Sequence, residues 1–130
     1  MRLRPTVLLV EDELACRATL EVALETPFGG MAAPTFEHTA TAERALAILE
    51  ERSVALLITD IHLPSMNGLE LIERVRSQPR LAALPIIVTS ADADPSTHDH
   101  ALRLGANAFF SKPYSPLAIR HKIEELIGHG

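Results

Sequence analysis

Short hydrophobic runs alternate with longer amphipathic segments along this chain. The runs at residues 6–10, 54–59 and 85–90 are rich in valine, isoleucine and leucine, which is typical of strands buried on both faces. Between them, apolar residues recur every three or four positions, as they do in helices that bury one face. The alternation predicts repeated βα units, and therefore an α/β domain built on a parallel sheet.

The pattern predicts five strands and five helices in turn. The strands are predicted at residues 6–10, 35–39, 54–59, 85–90 and 108–111, and the second has the weakest pattern because its alternating run is short. The helices are predicted at residues 13–26, 41–52, 69–77, 95–105 and 115–127. Residues 27–34 are rich in proline and glycine and are predicted to form a surface loop.

Four of the five predicted helices have an apolar face that the sequence pattern identifies. The residues expected to face inward are Leu20 and Leu24; Ala42, Ala45, Leu46 and Leu49; Leu69, Ile72 and Val75; and Leu117, Ile119, Ile123, Leu126 and Ile127. Asp94 followed by Pro95 predicts an N-cap and a first helical position.

Length and composition limit the class of protein. At 130 residues, with 47% hydrophobic and 22% charged residues, the chain suits one folded domain over residues 1–130 and is not of a disordered class. No second or output domain is expected. No apolar run approaches the roughly 20 residues that cross a bilayer, and the N-terminus lacks the pattern of a signal peptide.

Charge and cysteine content limit the binding partners and the cellular compartment that are expected. The formal net charge is −5, with no dense lysine and arginine block, so direct binding to nucleic acid is not expected. Cys16 is the single cysteine, which favours a reducing cytoplasm and an inert structural thiol. His98, Asp99 and His100 are expected on a solvated helix surface, because residues two apart on a helix do not face each other.

Reactive side chains stand at the ends of three predicted strands. Glu11 and Asp12 follow the first, Asp60 follows the third, and Thr89 and Ser90 close the fourth. Ligands bind at the carboxyl edge of open parallel sheets, so these groups are expected to converge there. Three clustered carboxylates repel one another, and a hard divalent cation such as Mg²⁺ relieves that repulsion while often binding a phosphate as well.

The residues available match the needs of phosphoryl transfer. Asp60 is a nucleophile that can form an aspartyl phosphate. Ser90 can donate a hydrogen bond to one phosphoryl oxygen, and Lys112 can place an ammonium beside another. The alternatives are an Asp60 that only caps a turn and a Glu11–Asp12 pair that only complements a helix dipole.

Three segments then resemble one family. Asp60-x-x-Leu-Pro-x-Met-Asn-Gly68, residues 84–91 and residues 105–113 are similar, in order and spacing, to the receiver domain of two-component response regulators. With the Glu11–Asp12 pair included, the resemblance covers essentially the whole chain. It implies a flavodoxin-like (βα)5 doubly wound parallel sheet, with strand order 2-1-3-4-5 and helices on both faces.

The resemblance also implies a set of site residues. Asp60 would be the phosphoacceptor, and Glu11, Asp12, Asp60 and the backbone carbonyl of His62 would bind Mg²⁺. Ser90 falls at the family's hydroxyl position and is preferred to Thr89.

Other positions follow from the same resemblance. Ala91 is the small residue that leaves the phosphate accessible, and Asp92 stands, with His62, where side chains flank the phosphoryl group. Lys112 is the family's lysine. Phe109 stands where the family places its switch aromatic, and it lacks the hydroxyl of the common tyrosine. Plain core packing is its alternative role. Leu63 replaces a usual methionine.

The function implied is a signalling switch and not an enzyme. A sensor histidine kinase or histidine phosphotransferase would phosphorylate Asp60, and the change would reshape the face formed by the fourth helix, fifth strand and fifth helix. That face also allows a homodimer. The downstream protein is unidentified, and the chain is a free-standing regulator, a relay intermediate or part of a larger one.

Two alternatives remain. A pseudo-receiver would keep the fold and act as a constitutive protein-interaction module, without phosphorylation. An aspartyl-phosphate phosphatase would need a second carboxylate two residues after the nucleophile, where this chain has His62.

Overall fold

Strands and helices alternate along the chain. A computed structural model describes residues 5–25, 33–92 and 94–128. The strands are β1 (Thr6–Val10), β2 (Thr35–Thr39), β3 (Leu56–Asp60), β4 (Ile86–Ser90) and β5 (Ala108–Ser111). The helices are α1 (Leu14–Ala23), α2 (Ala42–Glu51), α3 (Gly68–Arg76), α4 (Pro95–Leu104) and α5 (Pro116–Ile127), and a short 3-10 helix spans Pro79–Leu81.

The strands form one parallel sheet in the order β2-β1-β3-β4-β5. This confirms the predicted flavodoxin-like order. The central strands β3 and β4 are buried throughout, in agreement with their continuous apolar runs. Because all five strands point the same way, their carboxyl ends lie along one edge.

Two hydrophobic clusters flank the sheet. One packs α2, α3 and α4 against residues such as Leu8 and Leu57. The other packs α1 and α5 against residues such as Leu9 and Ile58. Neighbouring residues of each strand therefore serve opposite clusters, and the prediction of helices on both faces is confirmed.

Most predicted boundaries agree with the structure, and β3 differs most among the strands. It begins at Leu56 and not at Val54, because its pairing with β1 starts where Val7 lies opposite Leu56. It also includes Asp60, which pairs with Thr89 of β4.

Helix α1 ends earlier than predicted, at Ala23, where Leu24 takes up a non-helical conformation. Thr26, the last residue of the predicted helix, and residues 27–32 of the predicted loop lie outside the described residues.

The inward faces of the helices were mostly predicted correctly. Leu117 is an error: its side chain is 76% exposed, because it lies two residues before Ile119 and so on another side of α5. In α3, Leu71 is fully buried whereas Leu69 is only half-buried. In α2, Ile48 joins the predicted buried residues.

Helix ends follow local capping chemistry. As predicted, Asp94 caps α4, with its carboxylate accepting from the Ser96 N–H at 3.0 Å, and Pro95 is the first helical residue. Gly105 ends α4 with a φ of 119°, a conformation that glycine adopts without steric penalty. Across the described ranges, every helix is too short or too polar to cross a lipid bilayer.

Candidate functional site

Three carboxylates meet at the carboxyl edge of the sheet. Glu11 and Asp12 directly follow β1, and Asp60 is the last residue of β3, the parallel neighbour of β1. One side-chain oxygen from each lies within 4.8 Å of the others. Glu11 is 1% exposed and Asp60 4%, whereas Asp12 is exposed. The predicted convergence of these three residues is therefore present.

Lys112 lies among these acids. It follows β5, and its Nζ is 2.8 Å from both Glu11 Oε1 and Asp60 Oδ2, with Glu13 Oε1 at 3.4 Å. The backbone N–H of Lys112 donates to the Ser90 carbonyl at 2.8 Å, and the peptide bond to Pro113 is cis. The Lys112 side chain, only 7% exposed, therefore connects the ends of β1, β3 and β5.

Burial and charge act against each other at this site. Burial raises the pKa of Glu11, and the charge of Asp60 adds to the rise, while Lys112 opposes both. Burial alone would lower the pKa of Lys112, but the hydrogen bonds and charges of Asp60 and Glu11 outweigh it and raise that pKa. Lys112 therefore stays an ammonium, held in place by the carboxylates around it.

The loop after β3 holds the Asp60 side chain and brings α3 close to the end of the strand. The His62 N–H donates to Asp60 Oδ1 at 3.2 Å, and the Gly68 N–H donates to the Ile61 carbonyl at 2.8 Å. A Cβ at position 68 would overlap the Asp60 carbonyl oxygen, so only glycine allows α3 to start this close. Ser65, with a φ of 62°, makes the reversal that brings α3 back to the strand.

The remaining predicted residues lie on the same edge or beside it. Ser90 is fully buried at the end of β4, where its Oγ accepts from the Asp92 N–H at 3.0 Å. Thr89 is also buried, but side chains alternate along a strand, so it faces the opposite cluster from Ser90. Ala91 is exposed, which leaves the approach to this edge open.

Phe109 is the second residue of β5, before the end of the strand where Lys112 follows. Its ring is half-buried against the cluster formed with α2, α3 and α4. On its outer side, the exposed His98 of α4 stacks on it, with ring centroids 4.6 Å apart and planes 18° apart. The predicted surface position of His98 is confirmed, although its contact with Phe109 was not foreseen.

A pocket opens beside Lys112, between the start of α1 and the chain after β5. Its volume is about 390 Å³, and its lining includes Glu13, Cys16 and Tyr114. Burial raises the pKa of Cys16, which favours the unreactive thiol. Burial also raises the pKa of Tyr114.

Sequence reasoning missed three residues around the acidic cluster. Glu13 pairs with Lys112. The Nε2 of His38, on β2, lies 2.7 Å from the Glu11 carbonyl oxygen, and its Nδ1 lies 3.1 Å from Arg17 NH1 on α1. None of them belongs to a motif, and the contacts of His38 with Glu11 and of Glu13 with Lys112 span 27 and 99 residues.

The donor chemistry suits a hard divalent cation. The cluster of Glu11, Asp12 and Asp60 offers only oxygen atoms, and Lys112 leaves an excess of negative charge. Carboxylate oxygens with access to solvent and to a phosphate are the setting in which proteins bind Mg²⁺. The exposed Asp12 gives this site its access to solvent.

Known proteins resemble this chain along most of its length. A family model described as "Response regulator receiver domain" matches residues 7–124. A "Chemotaxis protein CheY homolog" of Campylobacter jejuni subsp. jejuni is 32% identical over 124 residues, which are 95% of this chain and 93% of that protein. The "Transcriptional regulatory protein GltR" of Pseudomonas aeruginosa is 33% identical over 122 residues, 94% of this chain but only 48% of GltR.

A solved structure agrees with these matches. The "response regulator receiver domain protein (CheY-like)" from Methanospirillum hungatei JF-1 superposes with a TM-score of 0.80 at 30% identity. The superposition covers 95% of this chain and 93% of that one.

Proposed function

Because this chain belongs to the response regulator receiver domain family, we propose that it is a phosphorylation-controlled signalling switch whose acceptor is Asp60. The donor is the phosphohistidine of a sensor histidine kinase or a histidine phosphotransferase. The site works with Mg²⁺, held by Glu11, Asp12, Asp60 and the backbone carbonyl of His62. A cytoplasmic location is part of this proposal.

One observation carries the proposal: Lys112 Nζ lies 2.8 Å from an oxygen of Asp60, a carboxylate that is almost fully buried, as Glu11 beside it is. An ammonium in this place offsets the charge of the acceptor and of an incoming phosphoryl group. Charge neutralisation and positioning provide most of the catalysis of phosphoryl transfer. An ordinary surface lysine would be exposed, whereas the side chain of Lys112 is 7% exposed.

In the proposed reaction, an Asp60 carboxylate oxygen attacks phosphorus. The bond between phosphorus and the donor imidazole breaks, and the imidazole nitrogen leaves with the electron pair and takes up a proton from solvent. Bound Mg²⁺ supplies positive charge to the phosphoryl oxygens. Lys112 and the Ser90 hydroxyl act on the same oxygens, while the exposed Ala91 leaves room for the donor.

The phosphoryl group carries a charge of about −1.5 to −2 at neutral pH, in place of the single negative charge of the free Asp60 carboxylate. Ser90 and Lys112 move toward its oxygens, and the space left by Ser90 allows Phe109 to turn inward. The change is a population shift between two packings of the face formed by α4, β5 and α5.

Asp92 and His62 flank the phosphoryl group and influence how fast water removes it. Dimerisation through the face formed by α4, β5 and α5 stays a prediction.

The Asp60→Asn variant tests the acceptor directly. We expect acetyl phosphate with Mg²⁺ to phosphorylate the wild-type protein and to leave the variant unlabelled, because an amide oxygen does not form the acyl phosphate. Intact-protein mass spectrometry would measure the added phosphoryl group. The matched control, Asp99→Asn on the exposed face of α4, should label as the wild type does.

The same measurement separates the pseudo-receiver alternative. A constitutive interaction module would take up no phosphoryl group even as the wild-type protein with saturating Mg²⁺. Undiminished labelling of Asp60→Asn would instead show that the acceptor is another residue.

A further inference from the structure

We infer that His38 is a positioning residue for Glu11 and Asp12, the two adjacent Mg²⁺ ligands of the proposed function on which this inference rests. One peptide group joins these two residues, and its carbonyl oxygen is that of Glu11. The orientation of this peptide therefore affects the direction of both carboxylates. His38 contacts its oxygen directly, with Nε2 at 2.7 Å.

The contact replaces a missing backbone hydrogen bond. Strands β1 and β2 pair as far as Val10 opposite Thr39, and the Glu11 N–H still donates to the Thr39 carbonyl at 3.0 Å. Beyond that point β2 ends. The His38 side chain then binds the Glu11 carbonyl, so residues of β2 hold both peptide groups that flank the Cα of Glu11.

The two partners of the imidazole fix its tautomer. A carbonyl oxygen only accepts, so Nε2 carries the hydrogen and donates to Glu11. A guanidinium only donates, so Nδ1 accepts from Arg17 NH1 at 3.1 Å. Arg17 thereby selects the tautomer that holds Glu11, in the way that an outer group orients a metal-binding histidine.

The side chain of Glu11 is held as well. Its Oε2 accepts from the Glu13 N–H at 3.2 Å, and its Oε1 pairs with Lys112. Asp12 is the exposed member of the pair, and within the described part of the chain no hydrogen bond or ion pair restrains its carboxylate. The peptide held by His38 is therefore the main restraint on where the Asp12 carboxylate points.

The test compares His38→Gln with His38→Asn. Both carry an amide that donates and accepts, but only the glutamine reaches as far as Nε2 does. We expect His38→Gln to bind Mg²⁺ within about threefold of the wild type and His38→Asn to bind at least about tenfold more weakly, the scale of outer-shell effects on metal affinity. Isothermal titration calorimetry without a phosphoryl donor gives these affinities.

Arg17 offers a second, independent comparison. Arg17→Met removes the donor to Nδ1 and should weaken Mg²⁺ binding, though less than His38→Asn. Arg17 also lies 3.8 Å from Glu21, so Glu21→Gln removes that pair while leaving His38 and its partner. Glu21→Gln should bind Mg²⁺ as the wild type does.

Three outcomes are distinguishable. Equal Mg²⁺ affinity in wild type, His38→Gln and His38→Asn would overturn the role of His38 while the proposed function stands. Equal weakening in both variants, with an equal loss of stability in urea, would also overturn it, because the role would then be structural. Failure of the wild type to bind Mg²⁺, or binding that survives Asp12→Asn, would overturn both the proposed function and this inference.

Discussion

Glu11 carries opposing influences within a single residue. Its carboxylate is almost fully buried and lies near Asp60, and both effects raise its pKa, although Lys112 is 2.8 Å away. Without a metal ion in the site, the charged form of Glu11 is therefore less favourable in the folded protein than in the unfolded chain. This residue favours metal binding at the expense of the stability of the metal-free protein.

Glu11→Gln should flatten the pH dependence of stability in metal-free buffer. The pKa of Glu11 is raised above its ordinary value of 4.5, so the folded protein binds this proton more tightly than the unfolded chain. The resulting stabilisation is present below pH 4.5 and is lost as pH rises through the higher folded pKa. Urea denaturation between about pH 4 and pH 8 measures the effect.

The control for this prediction is Glu50→Gln, on the exposed side of α2. It should retain the wild-type loss of stability with rising pH. Identical profiles for both variants would show that the loss comes from another group.

Motifs identified the charged residues of the site but not the residues that hold them. Asp60, Lys112 and the Glu11–Asp12 pair stand at strand ends, where a sheet edge collects them, so their proximity was predictable. His38 was not, because its contact with Glu11 depends on the parallel register of β1 and β2. Until that register is known, nothing in the sequence singles out His38.

At the scale of elements, Arg76 joins α3 to the turn between α4 and β5. Its guanidinium donates to the Gly105 carbonyl at 2.8 and 3.2 Å, to Leu81 at 3.1 Å and to Asn107 Oδ1 at 3.2 Å. Asn107 in turn accepts from the Ile86 N–H that begins β4. Burial lowers the pKa of Arg76. Arg76 therefore fixes α4 relative to the sheet on the side where the proposed switch acts.

Arg76→Met should reduce the free energy of unfolding by about 2–3 kcal/mol, because it leaves several partly buried acceptors without a donor. Urea denaturation with an unchanged m-value would measure the loss. Arg74→Met is the matched control two residues away: Arg74 pairs with Glu70 on the helix surface, and its loss should amount to less than about 1 kcal/mol. Similar losses in the two variants would contradict the role given to Arg76.

Elements were predictable where propensity and packing agree. β1, β2 and β5 have the predicted bounds, and Asp94 caps α4 as predicted. Leu117 was assigned to the core because it is apolar, but its burial depends on which face of α5 packs against the sheet. That contact is a tertiary property.

For the whole molecule, the sequence pattern indicated the class of fold and not its strand order. Alternating βα units suit several parallel sheets, and the order 2-1-3-4-5 came from the family resemblance. The observed order places β1 beside β3, which brings Glu11 and Asp12 to Asp60. An order that did not place β1 beside β3 would have separated these carboxylates.

Mg²⁺ should stabilise the whole fold. A ligand that binds only the folded protein at a hundred times its Kd adds about 2.7 kcal/mol to the free energy of unfolding. We therefore expect saturating Mg²⁺ to raise the Tm of the wild type and to leave the Tm of Asp12→Asn nearly unchanged. Thermal denaturation followed by circular dichroism measures both, with K⁺ at equal ionic strength as the control. An equal rise in both proteins would place the Mg²⁺ effect outside the acidic site.

The ion pairs of Lys112 also fix a sequence of events during synthesis. Its partner Glu13 precedes it by 99 residues, and Glu11 and Asp60 likewise leave the ribosome long before it. A nascent chain that has exposed β1, β2 and β3 therefore carries the carboxylates without the ammonium that offsets part of their charge. The site gains this ammonium only once β5 and Lys112 have emerged, so the residue that completes the site is translated after every carboxylate that it contacts.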